Sequence, residues 1–374
     1  LKHESLNKNM FISNALIDMY AKCGLLEKAA EIFEKLPMRN IVTWTALISG
    51  YAKHGYGNAA LICLEKMQEE GFSPNAITYV CSLKACASIG ALDKGKEIHM
   101  NIEKDGLVQQ NIVVGNALID MYAKCGSLTK AAEVFHVMPV RNIVTWSTIV
   151  AGYAQHGFGE EALHYLEQMK LEGITPDAVT YISSLKACAS TGAIFNGQQI
   201  HAEIITKRLL GTNLAVGNTL IDMYAKCGSL RKAHEVFERL PIRNVVTWNA
   251  IIAGYAQIGM VNTVFLTFDK MIGENIIPNQ VTFLSVLTAC SHAGLVARGQ
   301  MFFEIMSQNF GISSSLAHQT CMIDLLGRAG QLDKAMETIE KMRFHGDLVM
   351  WLTLLGACKK WSNLQIGEEA FGNA

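Results

Sequence analysis

Half of the 374 residues are apolar, only six are proline and the formal net charge is −1, which excludes an intrinsically disordered chain. No apolar run approaches the roughly 18 residues of a membrane span, so no membrane partner is expected, and the even charge balance lacks the basic footprint of non-specific nucleic-acid binding. A single globular core rarely extends through a chain this long, whereas a stacked array of units has no such limit.

Residues 1–8 align, at an offset of 102, with Glu103–Gln110, so residues 1–9 read as the tail of a long unit whose beginning is missing. With no initiator Met and no Arg/Ser-rich leader, the chain is expected to be a segment of a longer protein whose targeting signal is not legible. From Met10 the text repeats. NALIDMYAKCG at 14–24 returns at 116–126 and as NTLIDMYAKCG at 218–228, and NIVTW at 40–44 returns at 142–146 and as NVVTW at 244–248. SLKACAS at 82–88 returns at 184–190 and is echoed by SVLTACS at 285–291. Repetition at fixed spacing marks a solenoid in which each unit buries its apolar face only against its neighbours. The period divides into a short, a standard and a long unit of 31, 35 and 36 residues: 10–40, 41–75 and 76–111. The same lengths recur at 112–142, 143–177 and 178–213, and at 214–244, 245–279 and 280–315. A variant short unit, 316–347, and a truncated unit, 348–374, follow.

Each unit reads as a helical hairpin. In the first standard unit Trp44, Leu47, Ile48 and Tyr51 recur at i, i+3, i+4 and i+7, the stripe of an amphipathic helix. Gly55 ends that helix, Ala60, Leu61, Leu64 and Met67 mark a second, and Gly71 with Pro74 closes the unit, as Pro176 and Pro278 do later. In the first short unit Ser13, Leu16, Ile17 and Tyr20 fall in the same frame. Ten complete hairpins stacked side by side give an all-α superhelix with one concave face.

Several motifs resemble chemistry without supplying it. Gly90 to Lys96 nearly spells a phosphate-binding loop, but Glu97 stands where a metal-binding Ser or Thr belongs and no strand precedes it. Gly55-Tyr56-Gly57 and Gly157-Phe158-Gly159 link two helices and so lack the context of a dinucleotide fingerprint. His201-Ala202-Glu203 has the spacing of zinc deaminases without the downstream thiolate pair. No CxxC pair occurs. Seven of the ten cysteines hold repeat-equivalent positions (Cys23, Cys125 and Cys227; Cys86, Cys188, Cys290 and Cys358), as small apolar residues at tight helix contacts do. No cofactor, metal or catalytic grouping is expected, and the chain reads as no enzyme.

Positions that repeat faithfully serve the stack, so an address for a ligand must lie where equivalent units differ in polar character. The fifth residue of each unit runs Asn14, Thr45, Val80, Asn116, Ser147, Ile182, Asn218, Asn249, Leu284, Thr320. The last runs Asn40, Asn75, Asn111, Asn142, Asp177, Asn213, Asn244, Asn279, Ser315, Asp347. Helix capping accounts for many last residues. It does not explain why the fifth residue is polar in every short and standard unit and apolar in every long one. Two such side chains per hairpin fix a base-edge orientation that one cannot.

The unit lengths and the phrases NALIDMYAKCG, NIVTWTALISGYAKHG and SLKACASIGALDKGKEIH resemble the plant pentatricopeptide-repeat (PPR) family, in its class with alternating standard, long and short repeats. The segment from Asp347, DLVMWLTLLGACKKWSNLQIGEEA, is similar to the start of that class's C-terminal extension motif. The resemblance implies a right-handed superhelical solenoid of helix-turn-helix hairpins. It implies a mitochondrial or chloroplast factor that binds one site in a single-stranded organellar transcript, one nucleotide per repeat, and directs C-to-U editing nearby.

The family's code, carried over by position, pairs fifth with last residues. Asn14/Asn40, Asn116/Asn142, Asn218/Asn244 and Asn249/Asn279 imply pyrimidines, Thr45/Asn75 adenine, and Ser147/Asp177 and Thr320/Asp347 guanine. The implied readout is 5′-Y-A-n-Y-G-n-Y-Y-n-G-3′. By the same resemblance the second residues Phe11, Val42, Ile77, Val113, Val144, Val179, Val246 and Val281 sandwich bases, with Ala215 and Ala317 departing from the pattern. Lys22, Lys53, Lys124, Lys226 and Arg328 end first helices, where they meet phosphates or offset the helix dipole. Implied partners are organellar RNA-editing cofactor proteins and a cytidine deaminase domain, in the complete protein or supplied in trans. One alternative is an RNA-binding factor for transcript stability or processing without editing. Another is a protein-binding tetratricopeptide-type scaffold, whose period is about 34 residues and whose signature is absent.

Overall fold

The computed structural model describes residues 10–340 and 347–374, and among them every regular element is a helix. Contacts divide the chain into two compact units, Leu1–Ala187 and Cys188–Ala374. In the first, the helices Met10–Lys22, Ile41–Lys53, Ala76–Ile89, Ile112–Lys124 and Ile143–Gln155 pack one on the next as a continuous layer. Their partners Leu26–Glu34, Gly57–Glu69, Leu92–Lys104, Leu128–Val137 and Gly159–Leu171 pack against that layer, each hairpin closing on itself. The second unit repeats the scheme with Leu214–Lys226, Val245–Gln257, Gln280–His292, Leu316–Arg328 and Leu348–Trp361 as its layer of first helices.

The apolar stripe explains this packing. Trp44, Leu47 and Ile48 are buried, as are Ala60, Leu61, Leu64 and Met67 on the facing helix. Layer contact is close because small residues meet: a Cβ added to Gly50, Gly152 or Gly254 would stand 2.6–2.7 Å from the Cβ of Ala21, Ala123 or Ala225 in the preceding helix. Any side chain there would push neighbouring helices apart. At the bend Gly55 adopts φ 83°, the left-handed conformation that glycine reaches without steric cost.

Short and standard hairpins are joined by an aromatic contact that recurs three times. Phe33, Phe135 and Phe237 meet Trp44, Trp146 and Trp248 edge to face at 4.5, 4.7 and 4.8 Å. Over each Phe ring lies a guanidinium, Arg39, Arg141 or Arg243, at 4.8, 4.8 and 4.5 Å. Each Arg also reaches a glutamate at the end of the next hairpin: Arg39 to Glu70, Arg141 to Glu172 at 3.1 Å and Arg243 to Glu274 at 3.6 Å.

The first two long hairpins hold an extra turn that the repeat lengths did not foretell: the four-residue helices Leu107–Gln110 and Leu209–Thr212. The residue before each is left-handed, Gly106 at φ 66° and Arg208 at φ 55°. Arginine at that conformation carries steric strain that glycine does not.

Candidate nucleic-acid interface

The last residue of each hairpin is where the next first helix begins, and its side chain is occupied there. Asn40, Asn75, Asn142, Asn244 and Asn279 accept through Oδ1 the backbone N–H of Thr43, Thr78, Thr145, Thr247 and Thr282 at 2.9–3.2 Å, and Asp177 accepts that of Thr180 at 2.8 Å. Asn111 and Asn213 cap the N–H of Val114 and Val216 at 3.3 Å, and Ser315 forms a capping box with His318. Asp347 makes no side-chain cap bond. Capping, one of the two roles open to these residues, is thus met in nearly every hairpin, and it satisfies backbone donors that the helix leaves without partners.

The fifth residues lie one turn further along and are tied to the same caps through a threonine. The Thr145 and Thr247 hydroxyls donate to Oδ1 of Asn116 and Asn218 at 2.7 Å, and that of Thr282 to Oδ1 of Asn249 at 2.6 Å. Thr45 and Thr78 share a hydroxyl hydrogen bond of 2.7 Å, and the hydroxyls of Thr180 and Ser147 lie 3.2 Å apart. Each of these threonines also lies 2.7–3.2 Å from the cap oxygen of Asn75, Asn142, Asp177, Asn244 or Asn279. Asn249 reaches Asn279 directly as well, Nδ2 donating to Oδ1 at 3.0 Å. The pairs Thr45/Asn75, Asn116/Asn142, Ser147/Asp177, Asn218/Asn244 and Asn249/Asn279 are therefore brought together.

Two pairs are not. Asn14 has a buried Oδ1 without a partner, while the Thr43 hydroxyl turns to the Asn40 carbonyl at 2.8 Å. Thr320 bonds the Leu316 carbonyl of its own helix at 2.9 Å, and no threonine links it to Asp347 because the corresponding position is Met350.

The linking threonines, all wholly buried, escaped the sequence reading. Their signal was a threonine three places after the last residue of a hairpin, in NIVTW, NVVTW, NAITY, DAVTY and NQVTF but not after the long hairpins, at a position that reads as part of the stack.

The second residues of the hairpins stand out as apolar and exposed. Phe11, Val42, Ile77, Val113, Val144, Val179, Val246 and Val281 are 51–87% accessible, each one helical turn before a fifth residue and on the same helix face. Ala215 and Ala317 are exposed as well. In the first unit these groups meet around a cleft of about 320 Å³. Its walls include Val144 and Val179, its polar edge Ser147 and Asp177, and its rim Lys124.

The basic residues at the ends of first helices are mostly paired on their own helix: Lys22 with Asp18 at 2.7 Å, Lys124 with Asp120 at 2.8 Å, Lys226 with Asp222 at 2.9 Å and Arg328 with Asp324 at 2.8 Å. Exposed pairs of this kind are weak and open readily to a stronger anion. Lys53 has no such partner among the described residues, since Ser49 stands four residues before it.

The look-alike motifs have structural occupations. His201 hydrogen-bonds the Tyr224 hydroxyl at 2.9 Å, as His99 does that of Tyr122. Gly90 ends a helix in the left-handed conformation, and Gly95 sits where a Cβ would strike Met121. All ten cysteines are free, and burial pushes the Cys86 and Cys188 thiols up to about 12, far from the thiolate that chemistry or metal binding needs.

Comparison with known proteins gives a consistent result. The PPR repeat family profile matches residues 39–88, 141–190 and 243–292, and the PPR repeat profile matches 11–41, 116–143, 218–245 and 320–347, together more than half of the chain. A pentatricopeptide repeat-containing protein of Arabidopsis thaliana is 38% identical over 359 residues, covering 96% of this chain and 49% of the relative. A chloroplastic relative from the same plant is 38% identical over 96% of this chain and 44% of its own length. A mitochondrial one is 38% identical over 98% of this chain and 42% of its own. The chain thus spans about half the length of these curated relatives. Among solved structures, the crystal structure of the pentatricopeptide repeat protein PPR10 in complex with an 18-nt psaJ RNA element superposes with a TM-score of 0.78 at 19% identity, covering 99% of this chain and 56% of that one. At that identity the likeness is one of fold.

Proposed function

The chain belongs to the pentatricopeptide-repeat family, and on that footing we propose that it is a sequence-specific single-stranded-RNA-binding module that takes one nucleotide per hairpin. The observation that carries this reading is the cleft between consecutive hairpins, where exposed Val144 and Val179 flank the polar pair Ser147 and Asp177 with Lys124 at the rim. Two exposed aliphatic side chains a hairpin apart suit the two faces of a flat base, and the pair between them suits its edge. The cap and the address then share one residue. Asp177 satisfies the N-terminus of the following helix with Oδ1, leaving its second oxygen for the ring N–H and amino group of guanine.

The order of polar pairs gives the site 5′-Y-A-n-Y-G-n-Y-Y-n-G-3′ from the N-terminus. Long hairpins contribute no polar fifth residue and tolerate any base. The first and final addresses, Asn14 with Asn40 and Thr320 with Asp347, have no threonine bond joining their members. We further propose an organellar setting, since relatives are chloroplastic and mitochondrial, and the alternating short, standard and long units support a role in directing C-to-U editing together with cofactor proteins and a deaminase domain.

The test is a binding titration with that ten-nucleotide RNA and with variants changed one nucleotide at a time. Affinity should fall at each Y, A and G and hold at each n, and log Kd should rise with log salt at about 0.7 per phosphate contact. Equal affinity for all variants overturns the base-by-base reading, and no binding at low salt overturns RNA binding altogether.

A further inference from the structure

Resting on the RNA-binding reading above, we propose that the buried threonine at the third position of the following hairpin is a specificity-positioning residue: it decides which side of the fifth-position side chain meets the base. An asparagine amide offers a donor face and an acceptor face that a half-turn exchanges. At Asn116 that choice is made. Asn142 Oδ1 already accepts the N–H groups of Val144 and Thr145 at 3.0 and 3.1 Å, which occupies its lone pairs. The single hydroxyl proton of Thr145 therefore goes to the nearer acceptor, Asn116 Oδ1 at 2.7 Å. What remains of Asn116 for a ligand is its amide N–H pair. Thr247 holds Asn218 and Thr282 holds Asn249 by the same oxygen.

Capping alone does not account for these threonines. Asn111 and Asn213 cap their helices through the backbone of Val114 and Val216, with no hydroxyl at that position. The threonine follows the fifth residue instead. Polar Asn14, Thr45, Asn116, Ser147, Asn218 and Asn249 are followed by Thr43, Thr78, Thr145, Thr180, Thr247 and Thr282, whereas apolar Val80, Ile182 and Leu284 are followed by Val114, Val216 and His318. A buried hydroxyl appears where an amide or hydroxyl needs aiming. Two hairpins go without that hydrogen bond, Thr320 because Met350 follows it and Asn14 because the Thr43 hydroxyl turns to the Asn40 carbonyl, and these two should discriminate least among those with a polar fifth residue.

The experiment compares the wild-type chain with Thr145→Val and Thr145→Ser, using RNAs varied at the fourth nucleotide, opposite hairpin 112–142, and separately at the seventh, opposite 214–244. Thr145→Val should lower discrimination at the fourth nucleotide by about tenfold, the scale of one hydrogen-bonded base contact. Discrimination at the seventh should stay unchanged, and Thr145→Ser should keep the wild-type preference at both. Should Thr145→Val fail to fold by circular dichroism, Thr247→Val read at the seventh nucleotide carries the same expectation. Wild-type discrimination retained in the folded Val variant overturns this proposal and leaves RNA recognition standing, as does an equal loss at both nucleotides. A wild-type chain that distinguishes no base at the fourth nucleotide overturns the reading beneath it as well.

Discussion

The aromatic joint and the helix N-termini both recur through the chain, but they recur in different ways. Phe, Trp, Arg and Glu meet three times with the same identities, and the ring separations stay within 4.5–4.8 Å. Across the N-termini the cap is nearly constant while the fifth residue runs from Asn to Thr to Ser to aliphatic. An array needs both kinds of repetition. Constant packing keeps the spacing of the hairpins, and only against a constant spacing does a changing side chain amount to an address.

The sharpest way to break that comparison is to damage the joint and ask whether the address survives. Trp248 is wholly buried, so Trp248→Ala should cost about 3–5 kcal/mol in urea denaturation, with the base preferences of the remaining folded protein unchanged. A shift in preference without loss of stability would show that joint and address are not separate. The converse change is Asp177→Asn. It keeps an oxygen for the cap of Ala178–Thr191 but turns Ser147/Asp177 into a pair like Thr45/Asn75, so preference at the fifth nucleotide should move from guanine toward adenine by about 1–3 kcal/mol while the melting temperature holds. Binding to all four bases at that nucleotide would show this directly.

Two smaller effects concern the packing of the long hairpins and leave the addresses alone. Arg208→Gly should stabilise the second unit by about 1 kcal/mol in the same urea titration, because it relieves a left-handed arginine, and should leave RNA affinity untouched. His99 and His201 are held below the usual histidine range because burial opposes their charge. The unfolded chain therefore takes up those protons first, and stability is full above that range and is lost as pH falls through it. Replacing both with Gln should flatten the acid limb of a stability-against-pH curve between about pH 7 and 5.

The helical architecture was legible because burial imposes a period: Trp44, Leu47 and Ile48 fall on one stripe and are the residues found inside. The short helices Leu107–Gln110 and Leu209–Thr212 were not, since four residues are too few for a period to register. At the N-termini, exposure of Val42 or Val144 contradicts the ordinary habit of aliphatic side chains, and the sequence flagged those positions through family resemblance and not through hydropathy. The linking threonines were hidden for a different reason. Thr145 is buried and recurs as Thr43 and Thr247, so by itself it reads as part of the packing, and the hydrogen bond that joins it to Asn116 spans 29 residues.

Because Asn116, Asn142 and Thr145 belong to two hairpins, the portable segment is not the hairpin as its turns delimit it. A chimera spliced between Asn142 and Ile143 imports two members of the trio and borrows the third from its host. One spliced after Thr145 transfers all three, and the frame for grafting is accordingly displaced by three residues from the frame in which the helices begin.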